Sequence, residues 1–445
     1  MIHHLLPSLA VLALFFQAAA VAAAEPTVIS SLAELAQAAA QGGQNVKMKP
    51  GKYRLAELIP LESIPERRKN KQWQFITFSG SGSTFDLGGV TIELDTALRQ
   101  KLGSPIHTDE FLISGKNVTV KGLTITSLGK GVAFGGAVLG VTGQGATLRD
   151  CTIHVEGSAP YGYGDLFGKG GHKHSGVHIT GSGSRFIGCK VFQKAFGHGF
   201  YLQENCDDVL FENCHVEGVM RRTDDMLAET SGMAFDRKFM SEVMNRGGTQ
   251  RIQAGYMKAL SEDGFRTYHT HRGLVLRNCT AKNMRGGFEL RTKSAPMLEN
   301  CASTGCERGF WVSDGAVVTR CKGDAQFGPL LYVEGDKVKV DVQLLPTEAD
   351  KVNVHAIAAL YGRDGEVTIS GKRTHALPIL VGFTPPAMGE NATANGERTA
   401  RGMILRNQTT MPVVVGAKAE KCQIFTRGPV KENKGKEIVV TPLAP

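Results

Sequence analysis

Apolar and polar residues alternate in short runs through most of this chain, and each run ends at a glycine or an Asn/Asp turn. ITFSGSGSTFDLGGVTIELD at 76–95 is one example. Alternation with period two, over segments too short for helices, predicts strands with one buried face. The same texture returns at 110–128, 137–157, 174–195, 197–220, 263–284, 286–306 and 308–327. Six cysteines mark one shared point in it, after a turn and before a β-type run: Cys151, Cys189, Cys214, Cys279, Cys301 and Cys321. The last three are spaced by 22 and 20 residues, which fits one coil of a solenoid, and the longer gaps leave room for insertions. Asn213, Asn278 and Asn300 precede their cysteines and predict a stacked asparagine ladder at that turn.

Aligning the coils gives a register. Five strands begin with glycine and an apolar residue: Gly176-Val177, Gly199-Phe200, Gly264-Phe265, Gly287-Phe288 and Gly309-Phe310. Side chains alternate across a strand, so the valine and the phenylalanines should stack inside. His178, Tyr201, Arg266, Glu289 and Trp311 should then project outward in one row. Two positions later a second row reads Thr180, Gln203, Tyr268, Arg291 and Ser313. Two positions before the glycine a third reads His174, Gly197, Glu262, Arg285 and Glu307. The glycine column between rows is expected to keep the middle of this face open.

Some segments leave the pattern. Residues 30–41 predict an amphipathic helix capped by Ser31, with Leu32, Leu35 and Ala36 on one face, suited to covering a solenoid end. Residues 223–262 shift to helix formers and methionine and are expected to form a wall over one face. Residues 25–335 are assigned to the solenoid with its cap, and 336–445 to β-rich further coils or a terminal cap. Residues 1–24 carry an apolar run and a small-residue end and are expected to be a secretory signal, placing the mature protein in the periplasm or outside the cell. No later stretch is long and apolar enough for a membrane span.

Composition adds three points. The 54 glycines favour strands and tight turns over helices. The net charge of +9 suits an acidic partner, and no basic run resembles a nucleic-acid recognition element. Nine cysteines in an exported chain invite disulfides, but six in register read as a column of buried free thiols. Cys301 and Cys306 are the remaining candidate disulfide pair.

The outward rows concentrate His, Tyr, Arg and Trp, with His172, Lys173, His198, His269, His271, Arg221, Arg222 and Arg272 at the margins. Arginine offers a rigid donor fork to carboxylates. No metal site is assigned: the His-x-His pairs 172/174 and 269/271 lack a carboxylate at a defining spacing. No cofactor is required by the pattern. Calcium remains a candidate ion at Asp207-Asp208 and Asp224-Asp225, where turn or cap roles are the competing reading.

The capping helix followed by PGKYRL, the stacked coils, the asparagine ladder and a face rich in polar residues resemble the right-handed parallel β-helix proteins of the pectate-lyase-like superfamily. The opening SLAELAQAAAQGGQNVKMKPGKYRL is similar to exported lyases of the chondroitinase B and alginate lyase type. The resemblance implies an all-β right-handed parallel β-helix acting on an acidic, uronate-containing polysaccharide by β-elimination, and the protein is expected to be a monomer. On the aligned rows, Arg266, Arg285 or Arg291 would neutralise the uronate carboxylate. His174, His198 or Tyr201 would take the proton, and Tyr201 or Tyr268 would protonate the leaving oxygen. Trp311 would stack on a sugar, with His178, Arg221, Arg222, His271 and Glu289 as further substrate contacts. A C5-epimerase, a glycoside hydrolase using Glu262, Glu289 or Glu307, and a non-catalytic glycan-binding protein are the alternatives.

Overall fold

A computed structural model describes residues 25–444, except 104, 106, 130, 134, 159–160, 168–171, 205, 242–249, 293–294, 348–353 and 385–395. The segment expected to be a secretory signal lies outside the described residues.

The chain is a right-handed parallel β-helix. A typical coil has three short strands, as in Phe200–Leu202, Leu210–Glu212 and His215–Glu217. Each pairs in parallel with its counterparts in the coils before and after it. The turn between the second and third strands explains the asparagines. Asp150, Asn213, Asn278, Asn300 and Arg320 all have φ between 52° and 55°, a left-handed conformation that Asn and Asp tolerate best among non-glycine residues. The Asn300 amide also donates to Asn278 Oδ1 at 3.3 Å. Directly after this turn the six cysteines point inward, each at most 3% exposed. All nine cysteines are free, so the candidate pair Cys301/Cys306 forms no disulfide; both thiols fill the coil interior.

The phenylalanines stack as the alternation requires. Phe265, Phe288 and Phe310 lie ring on ring at 5.0 Å with nearly parallel planes, at about the spacing between neighbouring strands. Phe200 continues the stack at 5.4 Å from Phe265. Their strands form one long sheet, which runs on through Leu331–Glu334, Ala358–Arg363, Ile379–Val381, Val413–Val415 and Val430–Asn433. The strands after residue 336 therefore continue the same solenoid. Leu32–Ala39 forms the N-terminal helix, with Ser31 and Glu34 completing a reciprocal capping box and Leu32, Leu35 and Ala39 buried.

The insertion forms a flap. Short helices Thr223–Leu227 and Met233–Asp236 and the antiparallel pair Met220–Arg222 with Met257–Ala259 enclose their own small core, in which Leu166, Phe167, Met226, Ala234 and Ile252 are buried. No helix among the described residues is long and apolar enough to cross a membrane.

Candidate active site

The first outward row is set by the pairing itself: His178 opposite Tyr201, Tyr201 opposite Arg266, Arg266 opposite Glu289 and Glu289 opposite Trp311. The glycine column behaves differently from expectation. A Cβ on Gly199 would lie 2.5 Å from the Val216 side chain, so these glycines face inward and allow close packing instead of opening the outer face. Strand alternation breaks there. The consecutive amides of Gly176 and Val177 both donate to the next coil, to His198 O and Gly199 O at 2.8 Å. In consequence the residue just before the glycine turns outward, bringing His198, Asp263 and Arg308 onto the face. Asp263 and Arg308 escaped the sequence pattern because a two-residue count crosses this break with the wrong phase, and Asp165 and Lys258, on the flap side, lie outside the aligned strands. The repeated glycine was the available signal.

Asp263 is fully buried at the centre of an ion network. Its carboxylate meets Arg285 Nη2 at 3.3 Å, Arg308 Nη2 at 3.2 Å, Arg266 Nη1 at 3.8 Å and His198 Nδ1 at 3.4 Å. Burial opposes its charge, but Arg285, the His198 contact, Arg308 and Arg266 outweigh that and hold its pKa well below the ordinary value. Glu262 is treated likewise: burial is overcome by His198, Arg285 and Lys173, and its pKa is lowered. Glu289 pairs with Arg266, with Arg308 at 2.9 Å and with Arg291 at 3.3 Å. On the flap side Lys258 bridges Asp165 at 2.9 Å and Glu307 at 3.2 Å, and Arg285 reaches Asp165 at 3.4 Å. These contacts anchor the flap to the sheet.

At the mouth of this network His198 Nε2 lies 2.6 Å from the Tyr268 hydroxyl and 3.3 Å from Glu262 Oε2. Tyr268 is 41% exposed, and its ring carries the Arg266 guanidinium 4.7 Å from its centroid. Partial burial, with Glu262 nearby, pushes its pKa up to about 12. Tyr201 is only 7% exposed and stacks on His178, which is held by Asp109 at 2.9 Å. Burial raises the Tyr201 pKa well above normal. Arg291 is exposed, lying 4.4 Å over the half-buried Trp311 ring. The sheet thus gathers His178, His198, Tyr201, Arg266, Tyr268, Arg285, Glu289, Arg291 and Trp311.

Four expected site residues lie elsewhere. His174 was placed on the outer face, but it is 0% exposed and its Nε2 meets Glu110 at 3.3 Å, out of reach of a sugar. His271 is also fully buried, with Nδ1 against the Cys206 carbonyl at 3.1 Å. Arg221 pairs with Glu229 on the flap and stacks on Tyr163, and exposed Arg222 pairs with Asp224. Turn chemistry occupies the candidate calcium aspartates: Asp207 accepts the Arg272 amide and Asp224 the Gly255 amide. Among the described residues no group of three or more His, Cys, Asp or Glu side chains is arranged to hold a metal ion.

No family model matches the chain, and no curated protein matches it. Solved structures that follow a similar path include a mannuronic-acid-specific polysaccharide family 6 lyase from human gut microbiota. It is 12% identical, covers 90% of this chain and 86% of its own, and has a TM-score of 0.45. A PL6 alginate lyase in complex with a trisaccharide is 13% identical over 94% of this chain and 86% of its own, also at 0.45. An endo-xylogalacturonan hydrolase from Aspergillus tubingensis is 11% identical over 94% and 93%, at 0.35.

Proposed function

We propose that this protein is a polysaccharide-active enzyme that cleaves a uronate-containing chain by β-elimination, with Tyr268 and His198 handling the proton. The observation that carries the reading is the 2.6 Å contact between His198 Nε2 and a solvent-reachable Tyr268 hydroxyl, backed by two ionised carboxylates. The Asp263 backbone amide and carboxylate both face His198 Nδ1, at 3.3 and 3.4 Å; as the imidazole takes the phenol proton at Nε2, Glu262 and Asp263 stabilise the imidazolium. The phenolate, beside Arg266, then removes the proton α to the uronate carboxylate. Arg291, the most exposed arginine in the cluster, neutralises that carboxylate, and Trp311 supplies a flat face for a neighbouring sugar. The C4–O bond breaks as the C4=C5 bond forms, and Tyr268 returns a proton to the leaving oxygen.

Hydrolysis is the less suited chemistry. A hydrolase needs a carboxylic acid that stays protonated, whereas Glu262 and Asp263, the carboxyls nearest His198, are pushed the other way, Glu262 by His198 and Arg285 and Asp263 by Arg285. The test is a panel of alginate, pectate and glycosaminoglycans followed by ultraviolet absorbance of the new double bond. A rising signal that disappears in Tyr268→Phe supports the reading. Chain shortening with new reducing ends and no absorbance would replace it with hydrolysis, and an altered uronate composition without cleavage would replace it with epimerisation.

A further inference from the structure

The two outward rows end differently. The first stops after Trp311, where Tyr332, Ala359 and Leu380, next in register, are buried in an apolar cluster with Ala356, flanked by Phe383 and Val414. The second continues. Leu290, Val312, Val333 and Leu360 are paired in sequence, so the residues one step beyond them, Arg291, Ser313, Glu334 and Tyr361, extend the row that holds Tyr268. That row runs into a cleft of about 450 Å³ lined by Asp314, Glu334, Asp336, Tyr361, Arg363 and Arg398.

The cleft is equipped for an anionic sugar. Tyr361 offers a half-buried ring whose hydroxyl donates to Glu334 Oε2 at 3.2 Å. Burial and the neighbouring Glu334 carboxylate push the Tyr361 pKa up to about 12, and Arg398 and Arg291 lie near enough to act against them. Arg363 and Arg398 are exposed. The acidic members are already engaged: Asp314 accepts the Asp336 amide and Asp336 accepts the Arg363 amide, each at 2.9 Å. Two open guanidinium groups beside an aromatic face match a uronate unit, carboxylate to arginine and ring to ring. Four strand steps separate Tyr268 from Tyr361, about 19 Å, within the reach of one bound oligosaccharide.

We infer that this cleft is a distal subsite that holds a uronate unit of the same chain whose scissile bond lies at Tyr268. It rests on the reading given under Proposed function. The test measures binding of oligouronates of increasing length, and of their carboxyl-reduced counterparts, by calorimetry to the Tyr268→Phe protein, with and without Arg363→Ala/Arg398→Ala. The expected result is an affinity gain of about tenfold once the ligand is long enough to reach the cleft, equivalent to about 1.4 kcal/mol. The gain should be absent for the reduced ligands and lost in the double arginine variant. Both arginines are exposed, and unchanged circular dichroism would confirm folding. If the gain persists in the folded variant, the subsite is wrong while the proposed chemistry stands. If no oligouronate of any length binds the parent, the uronate reading itself falls, and this inference with it.

Discussion

The buried ion network allows a sharp test through Asp263→Asn, which keeps the side-chain volume and removes one charge. Asp263 has no solvent access and its carboxylate touches Arg266, Arg285, Arg308 and His198. Arg308 retains Glu289 at 2.9 Å, and Arg285 retains Glu262 at 3.1 Å and Asp165 at 3.4 Å, so no arginine is left wholly unpaired. The cluster nevertheless gains one net positive charge around a position with no solvent access. Removing one partner of a buried ion pair costs about 3–5 kcal/mol, and the remaining pairings place this variant at about 3 kcal/mol. Urea unfolding followed by circular dichroism measures the loss. Because solenoid coils can unfold in parts, hydrogen exchange of the Asp263–Thr267 strand provides a local reading. Adding Arg308→Met to Asp263→Asn should recover part of the stability, since it removes the excess charge. A single variant within about 0.5 kcal/mol of the parent, the scatter of ordinary surface substitutions, would refute the claim that these charges are desolvated and mutually dependent.

Three further outcomes are expected. Tyr268→Phe should lower kcat by about 10²–10⁴-fold, the usual contribution of a positioned proton donor, with folding unchanged; a loss below about threefold would remove Tyr268 from the chemistry. Glu262 and Asp263 have folded pKa values below their ordinary 4.5 and 3.8. Groups with depressed folded values stabilise above the unfolded pKa, so this contribution is complete above about pH 5 and is lost progressively as pH falls below about 4.5. Melting temperatures across pH 3–7 would show it, and Asp263→Asn should flatten the acid limb. Phe288→Ala opens a hole in the ring stack and should cost about 3–5 kcal/mol in urea unfolding; a cost under about 1 kcal/mol would deny that the stack is close-packed.

The solenoid was legible because its physics is local and repeated. Period-two alternation, a left-handed turn that favours asparagine and a small apolar residue after it recur in register, so Phe200, Phe265, Phe288 and Phe310 could be assigned to the interior from spacing alone. The row His178, Tyr201, Arg266, Glu289 and Trp311 followed from the same parity. Two things lay beyond that logic. The phase slip at the glycines, which turns His198, Asp263 and Arg308 outward, depends on how tightly one coil seats on the next. Which polar residues are spent on each other depends on neighbours distant in sequence: Glu110 claims His174, and Asp165 and Glu307 claim Lys258. Periodicity fixes the face a side chain takes within a regular strand, whereas only the folded stack decides which polar groups are buried against each other and which, like Arg291 and Tyr268, stay exposed.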